Sequence, residues 1–116
     1  MRRISKTCCS VLPLVLKKRW YDMIASGEKK EEYREYKEFW IKRIEKWQDS
    51  IISELSPLLE QKTDVIAFSC GYRRADMFFI CDRILIKEGT PKYPEWGEPN
   101  IRHFVLGLGE RIELCD

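Results

Sequence analysis

Histidine is almost missing from this chain of 116 residues, where His103 stands alone. The five cysteines, Cys8, Cys9, Cys70, Cys81 and Cys115, are odd in number and form no CxxC pair. Zinc sites draw on His and Cys at tight spacings, so neither a metal nor another cofactor is expected. Adjacent Cys8 and Cys9 do not suggest a disulfide framework, and free thiols fit a reducing, cytoplasmic setting. No apolar run approaches the roughly 18 residues of a membrane span, so no membrane partner is expected. Val11–Leu16 follows Arg2 and Arg3 as the apolar core of a secretory leader would. Three cations come next and no small-residue cleavage site appears, so this run reads as a strand. Repeats, Gly/Ser linkers and low-complexity blocks are lacking as well, which leaves one folded unit.

Acid is lacking at one end only. Before Asp22 there is none, while Arg2, Arg3, Lys6, Lys17, Lys18 and Arg19 are all cationic. The net charge of +2 says nothing about a nucleic-acid partner. The basic end is either a solvated tail leading into a helix or a patch that faces phosphate. Residues 1–10 are set apart as a basic amino-terminal segment, and 11–116 form a single domain of ordinary size.

What is present is enough apolar material for a core: 44% hydrophobic against 34% charged residues, a globular balance. Val11–Leu16 suits a buried strand whose Pro13 belongs at a sheet edge or bulge. Lys17–Ser26 reads as a short helix ended by Gly27. Trp40, Ile44, Trp47, Ile51 and Leu55 fall at steps of three and four, one apolar stripe of a helix over Tyr36–Leu55 that Ser56-Pro57 stops. Its tryptophans read as core. Asp64–Cys70 and Asp76–Lys87 are strand-like runs around a turn at Gly71–Arg74. Thr90–Asn100, with three prolines, is a long loop. Arg102–Leu108 and Glu110–Leu114 read as a closing strand pair. Early helices and late strands make an α+β class.

Gly27–Glu38 (GEKKEEYREYKE) is the most charged stretch, and propensity alone would make it the first turns of the long helix. Here the sequence resembles the ASCH domain family. Trp20–Arg34 carries a helix ending in glycine, followed by G-x-K-x-x-E-x-R on Gly27, Lys29, Glu32 and Arg34. Asp64–Tyr72 resembles the family's apolar strand running into a Gly-Tyr turn, Pro94–Gly97 its Trp-Gly loop and Phe104–Gly109 its closing strand. The resemblance spans residues 11–114. It implies a small PUA-like β-barrel with an amino-proximal short helix and one longer helix. It also implies that Lys29–Glu35 is a strand beside a cleft. Period two then puts Glu32 and Arg34 on one face and Glu31 and Tyr33 on the other; Lys29 joins the first pair only from the turn before the strand.

By that resemblance the partner is RNA or a nucleotide-type ligand. Arg34 or Lys29 would meet phosphate or a base edge, with Glu32 beside them, since arginine binds such groups in bidentate fashion. Tyr72 would stack a base, with Tyr33 and Trp96 in reserve. Arg73 and Arg74 would extend the cationic rim. Some small ASCH proteins are amidohydrolases that deacetylate acetylated cytidine, so Lys29 and Glu32 become catalytic residues if this chain is one. At the position of the family's threonine, however, this chain has Glu32, and its distant carboxylate would be Glu88, Glu95 or Glu98. A protein-interaction module is the third class. His103 reads as a packed strand histidine, Cys70 as a possible pocket wall and Cys81 as structural.

Overall fold

Alternation along Cys9–Leu16 sets one wall of the fold. Leu12, Leu14 and Leu16 are buried while Val11, Pro13 and Val15 point outward, as period two dictates. The computed structural model describes residues 1–48 and 62–116. Within them the first half runs β1 (Arg3–Ser5), a 3-10 turn (Lys6–Cys8), β2 (Cys9–Leu16), α1 (Lys18–Ala25), β3 (Glu31–Glu35) and α2 (Glu38–Trp47). The second half runs β4 (Thr63–Cys70), β5 (Met77–Lys87), a 3-10 turn (Pro94–Trp96) and β6 (His103–Cys115). The expected α+β class is what forms, as a mixed sheet of six strands with two helices among the described residues.

Neighbouring strands follow the order β1, β6, β5, β4, β2, and β3 pairs antiparallel with the start of β6. β2 lies parallel to β4 in unbroken register from Cys9↔Thr63 to Leu16↔Cys70. The expected closed barrel does not form. No ladder joins β2 to β3 among the described residues, so the sheet stays open between them. Pro13 in β2 lacks an N–H and suits an unpaired edge. A side chain spans the opening instead, with Arg34 Nη2 donating to Val15 O at 3.4 Å.

The core gathers Leu12, Leu14, Ile66, Phe68, Met77, Phe104 and Leu106 from the sheet, Ile24 from α1, and Ile44 and Trp47 from α2. Trp47 Nε1 donates to Ser10 O at 2.9 Å and Ser10 Oγ donates back to Trp47 O at 2.7 Å, fixing α2 to β2. The expected helix over Tyr36–Leu55 begins at Glu38. Ile51, Leu55 and the Ser56-Pro57 stop lie outside the described residues. Gly27 follows α1 with φ 85°, as expected of a helix-ending glycine.

The closing strand pair is instead one strand, β6. Gly107 and Gly109 suggest a turn, but their role is close approach. A β-carbon at Gly107 would collide with Asp82 Oδ1 and lie 2.7 Å from Arg83 Cγ; one at Gly109 would sit 3.0 Å from Ile80 O. The register of β5 shifts twice between Phe79 and Arg83, pressing those residues onto β6. At the far end of β6, β1 pairs in parallel, and the basic end meets acids. Arg2 pairs with Glu110 at 2.9 Å, Arg3 with Glu113 at 3.7 Å and Lys6 with Asp116 at 3.2 Å.

Candidate functional site

β3 is polar on both faces yet extended, because its whole length is hydrogen-bonded to β6, from Glu31↔Gly107 to Glu35↔His103. Propensity would make a helix here; the ladder overrides it. On one face Tyr33 Oη donates to Glu31 Oε1 at 3.0 Å, and Arg83 pairs with the other oxygen of Glu31. On the other face Glu32 and Arg34 turn toward the opening beside β2. Lys29 precedes the strand in the turn after α1, where its N–H donates to Met23 O at 3.0 Å.

Glu32 organises this face. Its Oε1 accepts the Tyr33 N–H at 3.0 Å and lies 3.3 Å from Lys29 Nζ, while Oε2 accepts Arg34 Nη1 at 3.1 Å. Arg34 Nη1 also donates to Tyr33 O at 2.9 Å, and the guanidinium lies over the Trp40 ring at 5.1 Å. Lys29 Nζ donates to Trp96 O at 2.5 Å and stands 4.5 Å from the centre of the Tyr33 ring and 5.1 Å from that of Trp20. Its side chain is 1% exposed. Burial holds the ammonium below the ordinary lysine range, an effect that the Glu32 carboxylate opposes and Arg34 reinforces. Burial, and then the charge of Glu31, push the Tyr33 phenol well above its usual range.

A cleft of about 520 Å³ opens beside this face. Pro13, Val15, Leu16, Lys17 and Trp20 line it from β2 and the start of α1; Glu32, Tyr33 and Arg34 from β3; Phe39, Trp40 and Arg43 from α2. Tyr72, Trp96 and Gly97 complete it from two loops. Gly97 takes φ 85°, and a β-carbon there would press to 2.9 Å from the Trp20 ring. Trp96 stacks on Tyr93 at 4.0 Å.

Of the residues expected at the site, Glu32, Arg34 and Tyr72 line the cleft together, and Tyr72 is fully exposed at its rim. The reserves Tyr33 and Trp96 line it too. Lys29 lies behind the lining, joined to it through Glu32 and Trp96. Arg73 is exposed, with its Nε–H turned back to Cys70 O at 3.1 Å, and neither it nor Arg74 nor Cys70 is among the lining residues. Glu88 and Glu95 are exposed, whereas Glu98 is buried behind the Trp96–Gly97 wall. His103 is packed, as expected, at 1% exposure. The Cys81 thiol, pushed up to about 11 by burial, is inert at neutral pH, in keeping with a structural role.

Sequence reasoning missed Trp20, Phe39 and Arg43, named Lys17 only as part of the basic end, and took Trp40 for core; Trp40 is half-buried against the core and also lines the cleft. Phe39, Trp40 and Arg43 stand at helical spacings of three and four, a signal that the apolar stripe of the same helix concealed. Among the described residues no three His, Cys, Asp or Glu side chains gather as a metal-ligand set, and no helix is long and apolar enough to cross a membrane. Compared with protein-family models, with curated proteins and with solved structures, the chain matches none.

Proposed function

We propose that this chain is an ASCH-like, PUA-related module that binds a nucleotide or a segment of single-stranded RNA in the cleft between β2 and β3. One observation carries the reading: six aromatic residues, Trp20, Tyr33, Phe39, Trp40, Tyr72 and Trp96, share this cleft with Lys17, Arg34 and Arg43 against the single carboxylate of Glu32. Aromatic faces stack bases of any sequence and cations follow the backbone, the combination that single-strand sites use. Tyr72 is the natural platform, since its ring projects fully into solvent at the rim. Phosphate contacts fall to Lys17 and Arg43, which have no carboxylate partner among the described residues, more than to Arg34, whose guanidinium is already shared among Glu32, Tyr33 and Val15.

The amidohydrolase reading has less support. Lys29 is held by Trp96 O and Glu32, and each oxygen of Glu98 already faces two donors, so neither is poised to act on a bound substrate. A peptide added as a further strand would meet Pro13 in β2, a poor partner for a ladder.

Titrating a fluorescently labelled single-stranded oligoadenylate at several salt concentrations tests the reading. Tyr72→Ala should weaken binding by about 1–3 kcal/mol with no change in melting temperature. Lys17→Gln and Arg43→Gln should each lower the slope of log affinity against log salt by about 0.7. Parent-like binding by all three variants across the salt series would place any ligand elsewhere.

A further inference from the structure

The loop that forms one wall of the cleft is tied to the sheet through buried Glu98. Glu98 Oε1 accepts the N–H groups of Lys92 at 2.8 Å and Tyr93 at 2.9 Å, which closes residues 92–98 on themselves. Its Oε2 faces His103 Nε2 at 2.9 Å and Lys87 Nζ at 3.6 Å. His103 opens β6, in register with Glu35 of β3 on one side and Lys87 of β5 on the other, so it belongs to the rigid sheet. Its ring also lies edge-on to Tyr33 at 5.7 Å. Its second nitrogen, Nδ1, faces Ile101 O at 2.5 Å. A carbonyl only accepts, and so does an ionised carboxylate. Both ring nitrogens therefore face oxygen atoms. Both side chains are out of solvent, and no buried side-chain nitrogen or oxygen among the described residues lacks a partner.

From this geometry we infer that His103 and Glu98 are the positioning residues of the cleft. Their pair is a clasp that holds the Trp96–Gly97 wall in place and, through Trp96 O, fixes the chain of contacts that runs from Lys29 to Glu32 to Arg34. The connection is continuous. The clasp closes residues 92–98, the Pro94–Trp96 turn inside that loop presents its last carbonyl to Lys29 Nζ, and Lys29 meets the carboxylate that holds Arg34. Gly97 sits against Trp20 with no room for a β-carbon, so a small movement of the loop is felt on the α1 wall as well. His103 and Glu98 touch no ligand in this scheme. They act through Trp96, Gly97 and Lys29.

The clasp can be read on the free protein, and only its effect on affinity rests on the proposed ligand. The four tryptophans, Trp20, Trp40, Trp47 and Trp96, give indole N–H resonances that Trp→Phe variants assign. In His103→Ala the Trp96 and Trp20 resonances should move or broaden, while Trp47, bonded to Ser10 O in the core, keeps its position. Glu98→Gln is the conservative rescue. Its amide oxygen can still accept the two backbone N–H groups and its NH₂ can donate to a ring nitrogen, so Trp96 should stay near its parent position. If His103→Ala does not fold, His103→Asn, whose shorter amide can still donate to Ile101 O but does not reach Glu98, should show the same displacement of Trp96 and Trp20. Folded His103 variants with Trp96 and Trp20 unmoved would overturn the clasp, as would displacement of Trp47 together with them. Oligoadenylate binding should fall about tenfold in His103→Ala and recover in Glu98→Gln. If the parent protein itself fails to bind oligoadenylate, the proposed ligand falls while the indole result still decides the clasp.

Discussion

The two ends of β6 handle charge in opposite ways. At its first residue, His103 and Glu98 form a pair shielded from water, and one strand over, Lys29 and Glu32 do the same. At its last residues, Glu110 and Glu113 reach Arg2 and Arg3 in open solvent, with every side chain about half exposed or more. The contacts are similar in length, but their energetics differ. Taking an ion out of water costs several kcal/mol, so a buried pair holds only while both partners and their further hydrogen bonds are in place. A pair in solvent gains little, because water screens it and two long side chains lose freedom to make it. Buried charge therefore fixes one geometry, while surface charge tolerates many. That contrast marks the candidate site more sharply than composition does, since charged residues are seldom fully buried without a specific reason.

A double-mutant cycle at each end would sharpen the contrast most. Lys29→Met alone leaves Glu32 and Trp96 O facing an apolar side chain and should destabilise the protein by about 3 kcal/mol. Adding Glu32→Gln should recover part of that loss, because the uncompensated charge is gone. The same cycle on Arg2 and Glu110 should return a coupling of no more than about 1 kcal/mol. Urea unfolding of the seven proteins, the parent being common to both cycles, gives both numbers. Equal couplings would erase the distinction drawn here.

Acid should separate the two ends next. Burial alone would raise the Glu98 carboxyl, but the backbone N–H of Tyr93, His103, Lys87 and the N–H of Lys92 outweigh it and hold it below the ordinary range. A carboxyl lowered by folding contributes stability that is fully present above its unfolded value near 4.5. That contribution is lost as pH falls through the lower folded value. Glu98→Gln should therefore lose less stability than the parent between about pH 5 and pH 3. Melting curves over that range check the sign. A variant that parallels the parent, with the same loss, would show that Glu98 is not the group that acid attacks.

Much of this was legible from local pattern, and the rest depended on partners far along the chain. The alternation of Leu12, Leu14 and Leu16 announced β2, and Gly27 announced the end of α1. The strand β3 ran against propensity, and only the resemblance of Gly27–Arg34 to a family motif suggested it. Its cause is the β6 ladder some seventy residues away, which no local window contains. The expected split between Leu108 and Glu110 failed for the same reason: glycine in a strand signals either a turn or close approach, and at Gly109 the nearness of Ile80 and Asp82 decides which. The closed barrel failed at Pro13, whose edge character was legible while the opening beside it was not. Glu98 was one of three candidate carboxylates. His103, five residues on, was what singled it out, but across a loop that spacing carries no contact information.

The smallest expected effect concerns Arg2, Arg3 and Lys6, the first part of a basic end that sequence alone left as either a solvated tail or a phosphate-facing patch and whose Lys17 lines the cleft. Arg2, Arg3 and Lys6 are satisfied by Glu110, Glu113 and Asp116, so a phosphate would have to displace a carboxylate from each. The gain would then be the difference between two similar ion pairs in water, which is close to zero. Cleft-lining Lys17 and Arg43 face no such competitor among the described residues. Replacing Arg2 and Arg3 together by Gln should accordingly leave oligoadenylate affinity and its salt slope at the parent values. Stability should change by no more than about 1 kcal/mol. The paired replacement of Lys17 and Arg43 by Gln should instead flatten the salt dependence. If the Arg2/Arg3 variant loses affinity as the Lys17/Arg43 variant does, the exposed seam is part of the binding surface and the two ends of β6 are not functionally distinct.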